Sequence, residues 1–370
     1  MPTVLFLLFA ALAAFGRSPA ADRRVTVAAV GDIQLRANLR RPEGLPGGDP
    51  FAFVRDALAA DLALGNLEGP VRAPRVREAR AARGPRLFQP PEVGRLLRRA
   101  GFDLVSLANN HLLDFGPASV LATIDVLLRA GVEPVGAWPD PADRFHPVIR
   151  TVRGVRIGFL AYTMWLNAAG DRRTVGLGHL RTDDPLAEIA ALRPYVDFIV
   201  VLVHWEREND PTTYGRTREL ARAMVEAGAD LVLGHHPHVL QGFEWYRGAL
   251  IAYSLGNFIF GPVRARQAES IVLRIELVRR SDGRRRLGEV RAIPVVLEGP
   301  RSVPVPADGR RRDRLLARLH RLSHPLGARV EPDGRLRPAD EADGAWLAPC
   351  LRGWLGATGP RGRRPARAAR

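Results

Sequence analysis

Phe198-Ile199-Val200-Val201-Leu202-Val203-His204-Trp205-Glu206 is an uninterrupted apolar run that ends on an imidazole. Leu231-Val232-Leu233-Gly234-His235-His236-Pro237-His238 repeats the pattern and ends on three histidines in four positions. Apolar runs of this length without polar alternation suit interior strands of a sheet. Between them, residues 216–227 place Leu220, Met224 and Ala227 on one helical face and stop at Gly228, a left-handed cap. A strand, a helix and a second strand, with polar chemistry at the strand ends, mark an α/β layered domain whose site lies at one sheet edge.

The same rhythm extends over residues 25–278. Further short strands are expected over 25–30, 62–64, 104–107, 156–162 and 250–253. Helices are expected over 90–100 and 116–130, each with proline at its start and ending at Gly101 or Gly131. Residues 270–278 and 288–296 flank Ser281-Asp282-Gly283 and read as a β-hairpin that closes the domain near residue 298. Beyond it, 299–370 is rich in proline, glycine and arginine. One helix is expected there, over 312–322, and a disordered basic tail after Gly359.

Composition narrows the function. The chain has 370 residues with 46% hydrophobic content, enough for a buried core, and a formal charge of +16. Every basic residue is arginine, and the runs 284–286 and 310–312 lack interleaved aromatics, so nucleic-acid binding is not expected. A solvated basic surface attracts polyanions or anionic lipid without reading them. The single cysteine, Cys350, excludes an intramolecular disulfide framework and a cysteine zinc site. Residues 4–15 form an apolar run followed by Arg17 and Ser18-Pro19-Ala20-Ala21, the pattern of a secretory leader over 1–21. No basic residue precedes the run, which leaves retention as a membrane anchor open; export to the periplasm, exterior or envelope is expected either way.

Nearly every expected strand runs into a loop of Asp, Glu, Asn or His. Asp32 follows Val30-Gly31, and Glu68 sits in Gly65-Asn66-Leu67-Glu68-Gly69-Pro70, placed to bridge two cations. Either loop alone reads as an ordinary turn. Asn109-Asn110-His111-Leu112-Leu113-Asp114 is denser: an asparagine carbonyl binds a hard cation without adding charge, and a histidine beside it acts as an acid. Asp114 either orients His111 or caps the helix that starts at Pro117. A lone His204 would be structural, but a fourth polar strand end favours a ligand. His236 and His238, spaced His-x-His, suit one dinuclear centre. Tyr253-Ser254-Leu255-Gly256-Asn257-Phe258 either lines the pocket through Asn257 or shapes the core, and Gln241 and Glu244 are possible substrate contacts.

In this order, Gly31-Asp32, Asn66-Leu67-Glu68, Asn109-Asn110-His111, His204-Trp205, the 234–238 histidine run and the 253–258 turn resemble the CapA family over about residues 25–278. CapA-type proteins are associated with poly-γ-glutamate capsule synthesis or export and are similar to calcineurin-like metallophosphoesterases. The resemblance implies a metallophosphoesterase-like four-layer αββα sandwich holding two divalent ions, Mn, Fe or Zn. It implies Asp32 and His238 on one metal, Asn110, His204 and His236 on the other, and Glu68 between them. His111, with Asp114, would then face the scissile group; Asn66, His235 and Asn257 are expected as substrate contacts. The substrate would be an anionic polymer or phosphoester, handled by a hydrolase or by an accessory protein beside capsule-synthesis membrane partners. Two positions depart from the superfamily: Gln34 replaces a histidine two residues after the first aspartate, and Glu68 replaces the bridging aspartate.

Overall fold

The structure is a computed structural model that describes residues 21–35, 45–73, 84–143, 145–167, 175–261 and 263–339. The expected leader, but for residue 21, and the basic tail with Cys350 lie outside the described residues.

Two sheets stack face to face. Across the eight-stranded sheet the order is Val303–Pro306, Arg285–Glu298, Glu269–Arg279, Arg23–Ile33, Leu62–Leu67, Leu104–Ser106 and Glu133–Val135, with Asn257–Ile259 also paired to Arg23–Ile33. The six-stranded sheet runs Phe243–Tyr246, Ala249–Ala252, Leu231–His235, Phe198–His204, Val155–Thr163 and Val148–Val152. In the six-stranded sheet the interior pairings are parallel and both edges antiparallel, whereas the larger sheet is parallel from Arg23–Ile33 to Glu133–Val135 and antiparallel from Arg23–Ile33 to Val303–Pro306.

Strand alternation explains the layering. In Phe198–His204, Val200 and Leu202 enter the core between the sheets, while Ile199, Val201 and Val203 face outward. The outward set packs on Ile189 and Leu192 of the helix Pro185–Leu192 and on Ala221 and Met224 of Gly215–Ala227. Helices Val93–Ala100 and Pro117–Ala130 bury Leu96, Leu97, Val120 and Leu127 against the other sheet. The expected αββα sandwich is therefore present, held by apolar burial on both faces of each sheet.

Register puts the chemistry in one row. Asp32 pairs with Asn66 on one side and with Asn257 on the other, and His204 pairs with His235. Two glycines let the chain ends cross there: a Cβ on Gly31 would lie 1.9 Å from the Gly256 carbonyl oxygen, and one on Gly234 1.9 Å from that of Tyr253.

Packing continues past residue 298, where the sequence placed the end of the domain. Val303–Pro306 joins the larger sheet as an edge strand, which tolerates Pro304 and Pro306. The helix expected over 312–322 begins earlier, at Gly309–Ser323, and buries Leu315, Leu316 and Leu319; Ala328–Val330 then pairs with Leu336–Pro338. The proline and arginine content that suggested an extension belongs here to an edge strand and the outer face of a helix.

Candidate metal centre

Five buried side chains converge where the strands end. Asp32 leaves Arg23–Ile33, Glu68 follows Leu62–Leu67, His204 ends Phe198–His204, and His236 and His238 follow Leu231–His235. One ligand atom each from Asp32, Glu68 and His238 lie within 4.8 Å of one another, and so do atoms of Glu68, His204 and His236. Glu68 belongs to both groups, the arrangement of a carboxylate between two cations. Asn110 Oδ1 stands 2.9 Å from His204 Nε2, which adds its carbonyl to the second group.

These residues fit a metal pair by their own chemistry. Glu68 is fully buried, yet neither carboxylate oxygen has a hydrogen-bond partner, and His236 Nδ1 is likewise buried and unpartnered. Leaving such groups without partners costs about 1–3 kcal/mol each, more for a charge, so a native fold retains them where a ligand satisfies them. The turn is strained as well: His236 and His238 have φ of 93° and 56°. Two backbone bonds hold it, from His236 N–H to Asp32 Oδ2 (3.2 Å) and from Asn209 N–H to the Pro237 carbonyl (2.8 Å).

The amides around the centre orient it. Asn257 Nδ2 donates to the carbonyl oxygens of His238 (3.3 Å) and Gln267 (3.2 Å), so its Oδ1 faces His238 Nδ1 at 2.9 Å. That fixes a proton on Nδ1 and leaves Nε2 on the side of Glu68, 3.6 Å away. Asn66 Nδ2 donates to Asp32 Oδ1 (2.8 Å) and lies 3.3 Å from His204 Nδ1. Asn109 ties the loops by donating to Asn66 Oδ1 (3.2 Å) and the Leu67 carbonyl (2.8 Å). Asn66 and Asn257, expected at the substrate, are hydrogen-bonded here to Asp32 and His238 respectively. His235 is only 1% exposed and its Nε2 sits 3.2 Å from the Val30 carbonyl oxygen, so it braces one sheet on the other instead of meeting substrate.

His111 Nδ1 lies 2.7 Å from Asp114 Oδ2, which also accepts the Leu87 N–H. The helix after it has Gly116 at its N-cap and no side-chain cap, so of the two roles open to Asp114 the structure selects orientation of His111. His111 Nε2 is 3.9 Å from Glu68 Oε1 and 3.3 Å from Asn167 Nδ2. Gln34 gives its amide to the Phe88 carbonyl (3.0 Å). Gln241 donates to the carbonyls of Asp210 and Thr212, and Glu244 is buried against Arg222 and Tyr253, so both are structural. The sequence did not single out Glu208, within 4.8 Å of His236 and His238, or the Trp165 ring 4.9 Å from His236 and the Phe260 ring 4.7 Å from His238. Glu208, four residues past His204, had the same signal as the others, an acid in a strand-exit loop.

Burial and neighbours set the protonation states. Burial pushes Glu68 up to about 7. Burial also opposes the ionised form of Asp32, but the hydrogen bond and charge of His238 hold it below the usual carboxylate range. Burial works against a charged His238, but Glu68 and Asp32 carry it up to about 10, whereas burial takes His236 down to about 3 and His204 well below the usual range. His238 is therefore protonated at neutral pH and would lose that proton to solvent on binding a cation. Affinity for the cation that His238 holds should rise roughly tenfold per pH unit between about pH 7 and 9, with one proton released as that cation binds. Titration calorimetry in two buffers of different ionisation enthalpy measures that proton directly.

A family model described as Bacterial capsule synthesis protein PGA_cap matches residues 26–262. Capsule biosynthesis protein CapA of Bacillus anthracis is 32% identical over 265 residues, covering 69% of this chain and 64% of that protein. PGA biosynthesis protein CapA of Bacillus subtilis (strain 168) is 29% identical over 346 residues, 91% of this chain and 89% of that one. The solved calcineurin-like phosphoesterase YfkN from Bacillus subtilis covers 81% of this chain and 97% of its own at 11% identity, with a TM-score of 0.41. The matched segment holds all the clustered residues from Asp32 to Asn257, and the chain belongs to the family of bacterial capsule synthesis proteins.

Proposed function

We propose that this protein is a metal-dependent hydrolase of the cell envelope that acts in the synthesis, release or export of an anionic capsular polymer such as poly-γ-glutamate. The observation that carries the proposal is Glu68: a buried carboxylate without donors, shared by two groups of metal-type ligands. Asp32, Glu68 and His238 would hold one divalent ion, and Glu68, Asn110, His204 and His236 the other. When bound, such ions supply Lewis acidity and an activated water to a carboxyl, amide or phosphoryl group. His111 holds a proton at Nε2 for the leaving group, with Asp114 fixing the ring through Nδ1. Trp165 and Phe260 wall the histidines with apolar surface. Export rests on the apolar run over 4–15; among the described residues no helix is long and apolar enough to cross a membrane. The arginine-rich surface would hold the polyanion.

A non-catalytic accessory role in polymer binding is favoured by one observation, that Gln34 turns its amide to Phe88 where the superfamily has a ligand. Purified protein incubated with poly-γ-glutamate, and separately with a chromogenic phosphodiester, separates the two roles. The hydrolase is expected to shorten the polymer, to lose that activity after chelation and to regain it when the metal is returned. Polymer retained but uncut by metal-loaded protein would establish the accessory role instead.

A further inference from the structure

His236 and His238 belong to a third group of closely placed ligand atoms, whose remaining member is Glu208. The carboxylate of Glu208 and one ring nitrogen from each histidine lie within 4.8 Å of one another. Glu208 is exposed, whereas Glu68 is fully buried, so a solvent-facing acid and a buried acid share the same two imidazoles. Among the described residues, Glu208 makes no hydrogen bond or ion pair.

The loop is tied to the histidine turn. Asn209, at φ 63°, donates its N–H to the Pro237 carbonyl (2.8 Å), and its Oδ1 accepts from Gln267 Nε2 (2.7 Å). Gln241 Nε2 donates to the carbonyls of Asp210 (2.9 Å) and Thr212 (3.0 Å) from below the same loop. Glu208 therefore keeps its place relative to His236 and His238. One of these two histidines also carries a ligand-type atom with nothing to bind: His236 Nδ1, in a residue only 3% exposed, has no partner.

We propose that Glu208 is a further metal ligand, which reaches the two-cation centre beside His236 and His238 and adds its carboxylate to one of the two ions. It supplies there a donor that Gln34 does not supply from the first strand. An anionic oxygen in place of an imidazole favours an oxygen-seeking cation such as Mn2+ over ions that prefer nitrogen-rich sites. The proposal rests on the metal-dependent function above and adds a specific residue to it.

The test is calorimetric titration of the full-length, metal-free protein with Mn2+, in parallel with Glu208→Gln and with the double variant His236→Ala, His238→Ala. Co2+ absorption is recorded on the same samples as a report of coordination. Glutamine keeps the size and removes the charge at an exposed position, and equal melting temperatures in chelator confirm an intact fold. The expected result is that Glu208→Gln either loses one of the two equivalents or binds it about ten- to hundredfold more weakly, with changed Co2+ bands. Two equivalents at unchanged affinity and an unchanged Co2+ spectrum would overturn the role of Glu208 while leaving the hydrolase proposal standing. A parent protein that binds no cation, like the double histidine variant, would overturn both.

Discussion

Glu68→Gln should remove the stabilisation that divalent cations confer on this protein. Glu68 is the one side chain common to the Asp32–His238 group and the His204–His236 group, so its loss weakens both sites at once. An amide keeps the volume but has one acceptor oxygen and no charge, and its NH2 would face the ions. At a cation concentration of 100 times Kd the parent gains about 2.7 kcal/mol, which raises its melting temperature by several degrees. A variant that binds a hundredfold more weakly gains only about 0.4 kcal/mol under the same conditions. Differential scanning calorimetry with and without Mn2+ reads the difference. A melting temperature for Glu68→Gln that still climbs as far as the parent's would show that Glu68 does not bridge the cations.

His111→Ala should lower the rate of hydrolysis about 10²- to 10⁴-fold and leave the bound metal in place. His111 is not in either ligand group; its Nδ1 meets Asp114, and its Nε2 lies 3.9 Å from Glu68 Oε1. Burial works against the imidazolium, but the Asp114 hydrogen bond and the Glu68 charge raise its pKa above the ordinary histidine value. A general acid acts in its protonated form, so the raised pKa extends the active range toward higher pH, and the rate falls as pH passes it. That basic limb should vanish in His111→Ala and move to lower pH in Asp114→Asn. Substrates with poor leaving groups should suffer most, because a chromogenic phenolate departs without a proton. An equal loss on both substrate types, with the basic limb intact, would remove His111 from the acid role.

The clustered acidic and histidine side chains were legible because each lies at the end of a run of mostly apolar residues. Such a run is long enough to be only a buried strand, and the carboxyl ends of parallel strands form one edge. Asp32, Glu68, His204, His236 and His238 meet there as expected. The amides and His235 were not legible in the same way. Asn66, Asn257 and His235 are polar residues at the ends of strands beside those side chains, but they face protein carbonyls, carboxylates and ring nitrogens. Loop composition reveals that a polar group is near a site; whether it faces the cleft or a neighbour depends on backbone angles such as the positive φ of His236 and His238. Glu208 shows the converse, an acid brought to the centre by the tie between Asn209 and Pro237.

The C-terminal part divides similarly. Proline and arginine in residues 299–339 looked like the end of packing, yet Val303–Pro306 completes the larger sheet and Leu315, Leu316 and Leu319 bury a helix. An edge strand leaves one side without ladder partners, so it tolerates residues that an interior strand excludes. The sequence by itself determined an α/β layered domain with polar residues at its strand ends, because hydrophobic periodicity is a local property set by burial; the four-layer sandwich was implied by the family resemblance. Only the tertiary structure decided which polar groups converge at the centre, which hydrogen-bond to them and how far the packing continues, because those depend on register and crossing between strands far apart in the chain.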